Sequence, residues 1–214
     1  MKNLISLLLG AVLLLSLTAC GETQVVSHTA VPSPDITQAP ETVTTPSPDT
    51  GSGSGRSIVV YFSATGNTER LANYIAEITG ADIFAIEPAT PYTSEDLDYR
   101  DAESRVSVEH ADPALQNVEL VSDSVDGWDE YDTVYIGYPI WWGVAAWPVS
   151  SFVSQNDFDG KTIVPFCTSA SSGASTSSEN LAELAGSGNW LECTRFASGV
   201  DESGVAEWLA QLEM

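Results

Sequence analysis

The stretch "SIVVYFSATGNTERLANYIAEITG", residues 57–80, decides the fold because it changes from one structural period to another. Its first six residues form a continuous apolar run, the pattern of a strand that is buried on both faces of a sheet. From residue 68 onward, apolar side chains recur at helical spacing, and Gly80 supplies a helix stop. The apolar face of the predicted helix, 68–80, comprises Leu71, Tyr74, Ile75 and Ile78. A buried strand that leads directly into an amphipathic helix indicates a parallel sheet.

Strand-like and helix-like segments continue to alternate along the chain. Further strands are predicted at "ADIFAIEP" (81–88), "TVYIGYP" (133–139), "TIVPFCT" (162–168) and, more weakly, "WLECTRFA" (190–197), and a closing helix at "ESGVAEWLAQLE" (202–213). We therefore expect an α/β fold with three layers, α/β/α, and a five-stranded parallel sheet in the order 2-1-3-4-5. Residues 90–130 fit this pattern poorly. A polar helix that begins at Ser94 or Asp96 is expected there, and 112–130 is interpreted as irregular.

The N-terminus has the pattern of a targeting segment. Lys2 precedes the apolar run "LISLLLGAVLLLSL", which is short for a membrane span and typical of a signal peptide. The run ends in "LTAC" (17–20), which resembles the lipobox of bacterial lipoproteins; a plain secretory signal with a chance cysteine is the alternative. Residues 1–20 are thus predicted to be a lipoprotein signal peptide with Cys20 as the lipidation site. The protein is expected outside the cytoplasm, anchored by lipid to the bacterial cell membrane.

Residues 21–56 are rich in Thr, Ser, Pro and Gly, and they end in "GSGSG" followed by Arg56. Such a composition cannot bury a core and favours an extended, disordered tether. The folded domain is therefore predicted to be 57–214.

The chain is strongly acidic. It has 214 residues, a formal net charge of −23 and a pI of about 4.1, and residues 57–214 carry 26 acidic and five basic side chains. Such a surface repels nucleic acid and anionic membranes, and it suits a basic partner.

Other classes of site fit the sequence badly. Residues 57–214 contain one histidine, His110, and no Cys/His cluster that would bind a metal, so no metal site is predicted. The Gly-x-Ser-x-Gly elbow of a serine hydrolase is missing. Cys167 and Cys193 lie in apolar stretches, where they either pack as small hydrophobic residues or form a disulfide, as pairs in secreted proteins do.

Three predicted loops are expected to meet, because ligands of parallel α/β sheets bind beyond the carboxyl ends of the strands. The first loop (63–68, "SATGNT") offers hydroxyl donors, a flexible Gly66 and the N–H groups of the following helix, which together suit an anion. A simple Ser/Thr helix cap is the alternative, and the Gly-Lys-Ser/Thr sequence of a P-loop is missing.

The second loop (140–144, "IWWGV") presents two adjacent tryptophans that cannot both point the same way. One is expected at the rim, where it could stack on a flat ligand; packing is the alternative role. The third loop (169–175, "SASSGAS") has small side chains that would leave donors facing a polar heterocycle, or that simply form a Ser/Gly turn.

A phosphate site, an aromatic plane and a polar rim at one sheet edge describe a site for flavin mononucleotide (FMN), and here the chain resembles a known family. "YFSATGNTERLA", "YPIWWGVAAWPVSSFV" and "DFDGKTIVPFCTSASSG" are similar to the three flavin-binding loops of flavodoxins, and the resemblance covers roughly 57–214. It implies FMN as the cofactor and a role for each matching position. The implied phosphate contacts are Ser63, Thr65, Gly66, Asn67 and Thr68. The implied ring contacts are Trp141 or Trp142 by stacking, Gly143 near the reactive nitrogen, and Thr168, Ser169 and Gly173 at the other rim. Ala64, Pro139 and Ile140 complete the predicted set, and Tyr92 is a weaker candidate.

The resemblance leaves three functions open. The favoured one is an electron carrier tethered to the outer face of the membrane, with a basic redox protein as its partner and no catalytic residue of its own. The second is an NAD(P)H-dependent FMN quinone reductase of the same fold. It would use a ring face left open where the third loop has Ser and Ala instead of a second aromatic residue. The third is a non-redox extracellular binding domain that lacks the flavin.

Overall fold

The computed structural model describes residues 55–212, so the predicted signal peptide with Cys20 and nearly all of the predicted tether lie outside the described residues. The strands are β1 (Arg56–Tyr61), β2 (Asp82–Ala85), β3 (Tyr131–Trp141), β4 (Val144–Ala145), β5 (Thr162–Thr168), β6 (Asn189–Trp190) and β7 (Thr194–Phe196). The helices are α1 (Asn67–Thr79), α2 (Arg105–Ala111), α3 (Trp147–Val153), α4 (Ser177–Ala185) and α5 (Glu202–Leu209). Two short 3-10 helices occupy Pro113–Leu115 and Trp128–Glu130.

The main sheet is parallel, in the order β2-β1-β3-β5, with β6 and β7 beyond β5. The predicted order 2-1-3-4-5 is confirmed, and the fifth strand proves to be divided into two short pieces. β6 pairs with Thr162 and Ile163 at the start of β5, whereas β7 pairs with 166–168 at its end. The short strand β4 runs antiparallel to the end of β3.

The core lies on both faces of this sheet, because side chains alternate along each strand. In β1, Val59 packs with Leu71 of α1, on the face that also holds Val205 of α5. Its neighbour Ile58 points to the opposite face, where it joins the cluster that contains Phe152 of α3 and α4 residues. The predicted three-layer α/β/α arrangement is therefore confirmed.

The boundaries differ in detail from the predictions. β1 begins at Arg56, whose guanidinium bonds to Asp82 and Glu130, so the folded domain starts one residue earlier than predicted. Helix α1 begins at Asn67, one residue before the predicted start, and stops at Gly80 as expected, although Ile78 of its predicted apolar face is 39% exposed. No helix within 55–212 is both long and apolar enough to cross a membrane.

The prediction of a helix that begins at Ser94 or Asp96 is wrong, since α2 begins at Arg105. Thr93 and Asp96 do exchange hydrogen bonds as in a capping box: Thr93 N donates to Asp96 Oδ2 at 2.9 Å, and Asp96 N donates to Thr93 Oγ1 at 3.2 Å. Only one turn follows before the chain bends again, where Tyr99 N donates to Leu97 O. The helix N-cap is Ser104, which accepts from Ser107 N.

Candidate functional site

A cavity of about 580 Å³ lies beyond the carboxyl ends of β1, β3 and β5, where the three loops meet. From the predicted site it is lined by Ala64, Thr65, Asn67, Pro139, Ile140, Trp141, Trp142, Thr168 and Ser169. Leu97, Tyr99, Val106, Ala170 and Ser198 complete its wall. This volume is in the range of pockets that bind small molecules and cofactors.

The first loop forms the turn from β1 into α1. Gly66 has φ 81°, a left-handed conformation that a side chain would strain, and it stands at the N-cap of α1. Asn67 Nδ2 donates to Thr65 Oγ1 at 3.1 Å, so these two lining side chains hold each other at the cavity wall. The amides of the first helical turn have no partners within the helix, so they and the two side chains offer neutral donors to an anion.

A buried pair of hydroxyl groups joins this turn to the end of β5. Thr68 Oγ1 and Thr168 Oγ1 lie 2.9 Å apart, and both residues are buried. The prediction that Thr68 contacts the phosphate would place it on the cavity wall, but Thr68 does not line the cavity. It instead holds Thr168, which does line it, through this bond. Ser63 also lies off the wall, in an adjoining cleft with Glu69 and Tyr92, and its buried Oγ finds no hydrogen-bond partner among the described residues.

The second loop is a tight hairpin. β3 continues to Trp141, two residues beyond the predicted strand end, and pairs with β4 in the register Trp141 to Val144. The two turn residues, Trp142 and Gly143, have φ values of 47° and 86°, as a type I′ turn requires. Positive φ is uncommon for a residue as bulky as tryptophan, so this turn holds Trp142 in a strained conformation.

The two adjacent tryptophans point in different directions, as expected. Trp141 is half-buried, and its ring packs edge-to-face against Phe62, Tyr92 and Trp147 at centroid distances of 5.6, 5.1 and 5.7 Å. Trp142 is 42% exposed and stacks on the rings of His110 at 4.4 Å and Trp147 at 6.3 Å, with 12° and 14° between the ring planes. His110 comes from α2, so this helix covers part of the hairpin.

Tyr92 supports the site rather than lining the cavity. Its hydroxyl donates to Glu109 Oε2 at 2.7 Å, and the guanidinium of Arg105 lies 3.8 Å from its ring centroid. Arg105 Nε also donates to Glu109 Oε1 at 2.7 Å, so the buried carboxylate is paired. Burial, together with the bond to Glu109, holds the pKa of Tyr92 well above its usual range, so the phenol stays a proton donor.

The third loop contributes its first residues only. Thr168, Ser169 and Ala170 line the cavity, whereas Gly173 is exposed and lies off its wall. Ser169 is held by β7: Ser169 N donates to Phe196 O at 3.4 Å, and Arg195 Nη2 donates to Ser169 O at 2.9 Å. This loop is thus held through the N–H and C=O groups of Ser169, which bond to the Phe196 backbone and to the Arg195 guanidinium.

The cavity wall is uncharged: its lining residues, all within 55–212, include no lysine, arginine or carboxylate. Arg70 reaches the wall only through its bond to the carbonyl oxygen of Ser198. An anion held here would depend on neutral donors, as the sequence predicted.

Sequence reasoning missed the side of the cavity formed by Leu97, Tyr99 and Val106. These residues come from the long connection between β2 and β3, which was interpreted as a polar helix followed by irregular chain. Their apolar and aromatic character within the acidic stretch "DLDYRDAESRV" was the available signal, since such side chains need a surface to cover.

A doubly wound α/β sandwich with this strand order, and with a cavity between three loops at its carboxyl edge, defines the flavodoxin-like class of proteins. The chain belongs to the flavodoxin family, because the model of the family described as Flavodoxin matches residues 56–212.

Solved structures agree with this membership. A candidate flavoprotein from Bacteroides eggerthii DSM 20697 is 38% identical, with 75% of this chain and 99% of that chain covered and a TM-score of 0.67. A second, from Bacteroides uniformis ATCC 8492, is 38% identical, with 74% and 100% covered and a TM-score of 0.68. A flavoprotein from Lactobacillus acidophilus NCFM in complex with FMN is 21% identical, with 73% and 99% covered and a TM-score of 0.54, which bears on the fold alone. No curated protein matches the chain.

Proposed function

We propose that this chain binds FMN in the cavity of about 580 Å³ and acts as an electron carrier tethered to the outer face of the membrane. Membership of the flavodoxin family makes FMN its cofactor. The placement of FMN rests on one observation, the meeting of all three loops at a single cavity whose wall is uncharged. FMN supplies the redox chemistry, and the surrounding residues supply binding, orientation and access.

We assign the phosphate to the start of α1. The Thr65 hydroxyl, the Asn67 amide and the first-turn N–H groups form a neutral donor set, which the positive end of the helix dipole reinforces. Gly66 leaves this turn open, since a Cβ placed there would meet nothing within 4 Å. Ser63 retains an unpartnered hydroxyl at the same turn, but it lies in the adjoining cleft and not on the cavity wall, so we do not assign it to the phosphate.

We assign the isoalloxazine ring to the aromatic part of the cavity. Trp141 and Trp142 stand on one side, and Tyr99, 65% exposed, stands on the connection between β2 and β3. Tyr99 thereby supplies an aromatic side chain that the third loop lacks. Ile140 and Val106 make the remaining wall apolar, which excludes water from a bound ring.

The exposure of Trp142 and Tyr99 supports the role of carrier. Aromatic side chains at the mouth of the cavity place the ring edge near the protein surface, where an acceptor protein can approach it. The acidic domain favours a basic redox partner and disfavours nucleic acid. The second candidate function is reduction of quinones by NAD(P)H, with FMN as the cofactor. The small side chains of Ser169 and Ala170 favour it, because they would leave space beside the flavin ring.

The location of the protein is proposed from the sequence. Lipid on Cys20 would anchor the chain, and 35 residues separate this cysteine from Arg56, where β1 begins. A flexible segment of that length has an average reach of roughly 35 Å, enough for the domain to meet partners above the membrane. Cells that express the full chain should incorporate radioactive palmitate into it, and Cys20→Ala should abolish this labelling. Labelling that persists in Cys20→Ala would contradict the anchor.

Binding of FMN and of riboflavin to the apo full chain tests the placement, because riboflavin lacks the phosphate. We expect FMN to bind at least tenfold more tightly than riboflavin, as measured by quenching of flavin fluorescence. The double variant T65A/N67A should weaken FMN and leave riboflavin unchanged, whereas Trp142→Leu should weaken both. Asn180→Ala, on the exposed side of α4, is the matched control. Equal affinity for the two flavins, or no binding of FMN, would overturn the proposal.

Steady-state turnover separates the two candidate functions. The FMN-loaded full chain should not oxidise NADH or NADPH steadily in the presence of a quinone. After chemical reduction it should pass electrons to a basic haem protein. Sustained NAD(P)H oxidation that depends on quinone would instead establish the reductase.

A further inference from the structure

A second redox-capable group lies beside the cavity wall: the thiols of Cys167 and Cys193, which are both free. Cys167 is in β5, directly before Thr168, and Cys193 directly precedes β7. Thr194 pairs with Phe166, so Cys193 enters β7 beside the strand that carries Cys167. Both pack in the same apolar cluster, on the face of the sheet that holds Tyr138.

The two thiols differ in access and in acidity. Cys167 is fully buried, whereas Cys193 is partly exposed, and the Tyr138 hydroxyl donates to Cys193 Sγ at 3.4 Å. Hydrogen bonding from Cys167 and from Tyr138 lowers the pKa of Cys193. The same contact between the thiols, together with burial, raises the pKa of Cys167. The cysteine that is partly exposed therefore also carries the more acidic thiol, which is the arrangement of an attacking cysteine with a resolving partner.

We propose that Cys193 and Cys167 form a dithiol–disulfide couple that exchanges with small-molecule disulfides. The Cys193 thiolate attacks one sulfur of the disulfide, which breaks the S–S bond, forms a mixed disulfide and releases one small thiolate. Cys167 then loses its proton and attacks Cys193 Sγ, which forms the Cys167–Cys193 bond and releases the second small thiolate. Two electrons pass from the protein dithiol to the small disulfide, and the two thiol protons of the protein end on the two released thiols.

This site is separate from the one proposed for FMN, because neither cysteine lines the cavity. The new bond would tie β5 to the start of β7. These strands carry Thr168 and Arg195, which hold the wall of the third loop. Oxidation would thus fasten one wall of the cavity, and the location proposed outside the cytoplasm favours it.

Mass spectrometry of the reduced full chain, treated with oxidised glutathione, tests the inference. Trypsin leaves both cysteines in one peptide, 162–195, because no lysine or arginine lies between Lys161 and Arg195. We expect this peptide to lose the mass of two hydrogens. After further cleavage at Glu179, Glu183 and Glu192, the two fragments that contain the cysteines, 162–179 and 193–195, should stay linked until reduced. Cys20 lies in a different tryptic peptide and does not interfere.

Single variants identify the order of attack. Cys167→Ser should stop at a glutathione adduct on Cys193, and Cys193→Ser should leave Cys167 unmodified. Tyr138→Phe should slow alkylation of Cys193 at neutral pH. Ser177→Ala is a milder variant, because it removes only the Oγ that lies 3.2 Å from the Tyr138 hydroxyl, and it should slow alkylation less. A peptide 162–195 that keeps two thiols, carries glutathione adducts only, or links two molecules would overturn the proposal.

Discussion

At the scale of single residues, Thr68 and Thr168 join two loops through one hydroxyl pair at 2.9 Å. Thr68→Val keeps the shape of the side chain but removes the hydrogen-bond partner of the Thr168 hydroxyl. Thr168 is only 7% exposed, so water cannot readily replace that partner. We expect the free energy of unfolding to fall by about 1–3 kcal/mol in urea titrations, because an unpaired buried hydroxyl is costly. Thr68→Ser retains the donor and should lose less. Equal losses for the two variants would show that methyl packing, not the bond, stabilises the turn.

The adjacent tryptophans should differ in how much stability their substitution costs. Trp141→Leu removes edge-to-face contacts with three aromatic rings, so we expect a loss of about 2–4 kcal/mol in the free energy of unfolding. Trp142→Leu removes the stacking on His110 and Trp147 from a side chain that is already 42% exposed and keeps the same strained φ, so the loss should be smaller, below about 2 kcal/mol. Urea denaturation of the apo full chain measures both. A larger loss at Trp142 than at Trp141 would contradict the assignment of inward and outward roles.

Residue-level predictions succeeded where local geometry decides. Two consecutive residues at a strand end must diverge, which predicted the split between Trp141 and Trp142. The same reasoning could not predict which tyrosine lines the cavity. Tyr92 donates its hydroxyl to Glu109, and Tyr99 lines the cavity instead. Their placement depends on contacts with residues distant in sequence, which no local pattern encodes.

At the scale of elements, buried strands were the most predictable, since a continuous apolar run fits a sheet covered on both faces. Helix α2 was the least predictable. The Thr93–Asp96 pair carries the same signal as a true helix start, yet α2 begins at Arg105 because Ser104 provides the cap there. Its position is stabilised by Arg105, whose Nη1 donates to Thr90 O at 2.8 Å, and by Glu109, so tertiary contacts outweigh helix propensity.

Glu109 should therefore control the docking of α2. Glu109→Gln keeps the shape but removes the charge that accepts from Arg105 and Tyr92, each at 2.7 Å. We expect a loss of about 1–3 kcal/mol in the free energy of unfolding, since hydrogen bonds to a charged group are the stronger ones. Hydrogen exchange of the α2 amides should speed up, and tryptophan fluorescence should change as His110 leaves Trp142. Glu119→Gln, an exposed residue of the same connection, is the control. Unchanged exchange in α2 would show that the ion pair does not hold it.

At the scale of the whole molecule, most of the few basic side chains of the described residues bond to other groups of the same domain. Lys161 is buried and donates to the carbonyl oxygens of Trp128 and Tyr131 at 2.8 and 2.7 Å. Arg105 is paired with Glu109, and Arg70 and Arg195 hold carbonyls of the cavity wall. Most acidic side chains of the described residues are exposed, so the surface seen by a partner is almost wholly negative.

Electron transfer to a basic partner should therefore depend steeply on salt. Raising the ionic strength from about 0.01 to 0.15 M shortens the Debye length from about 30 to about 8 Å, which screens the long-range attraction. We expect the second-order rate constant from the reduced full chain to a basic haem protein, measured by stopped flow, to fall at least tenfold. An acidic acceptor of similar potential should show the reverse trend, because salt relieves repulsion. A rate to the basic acceptor that does not change with salt would contradict charge-steered docking and, with it, the choice of a basic partner.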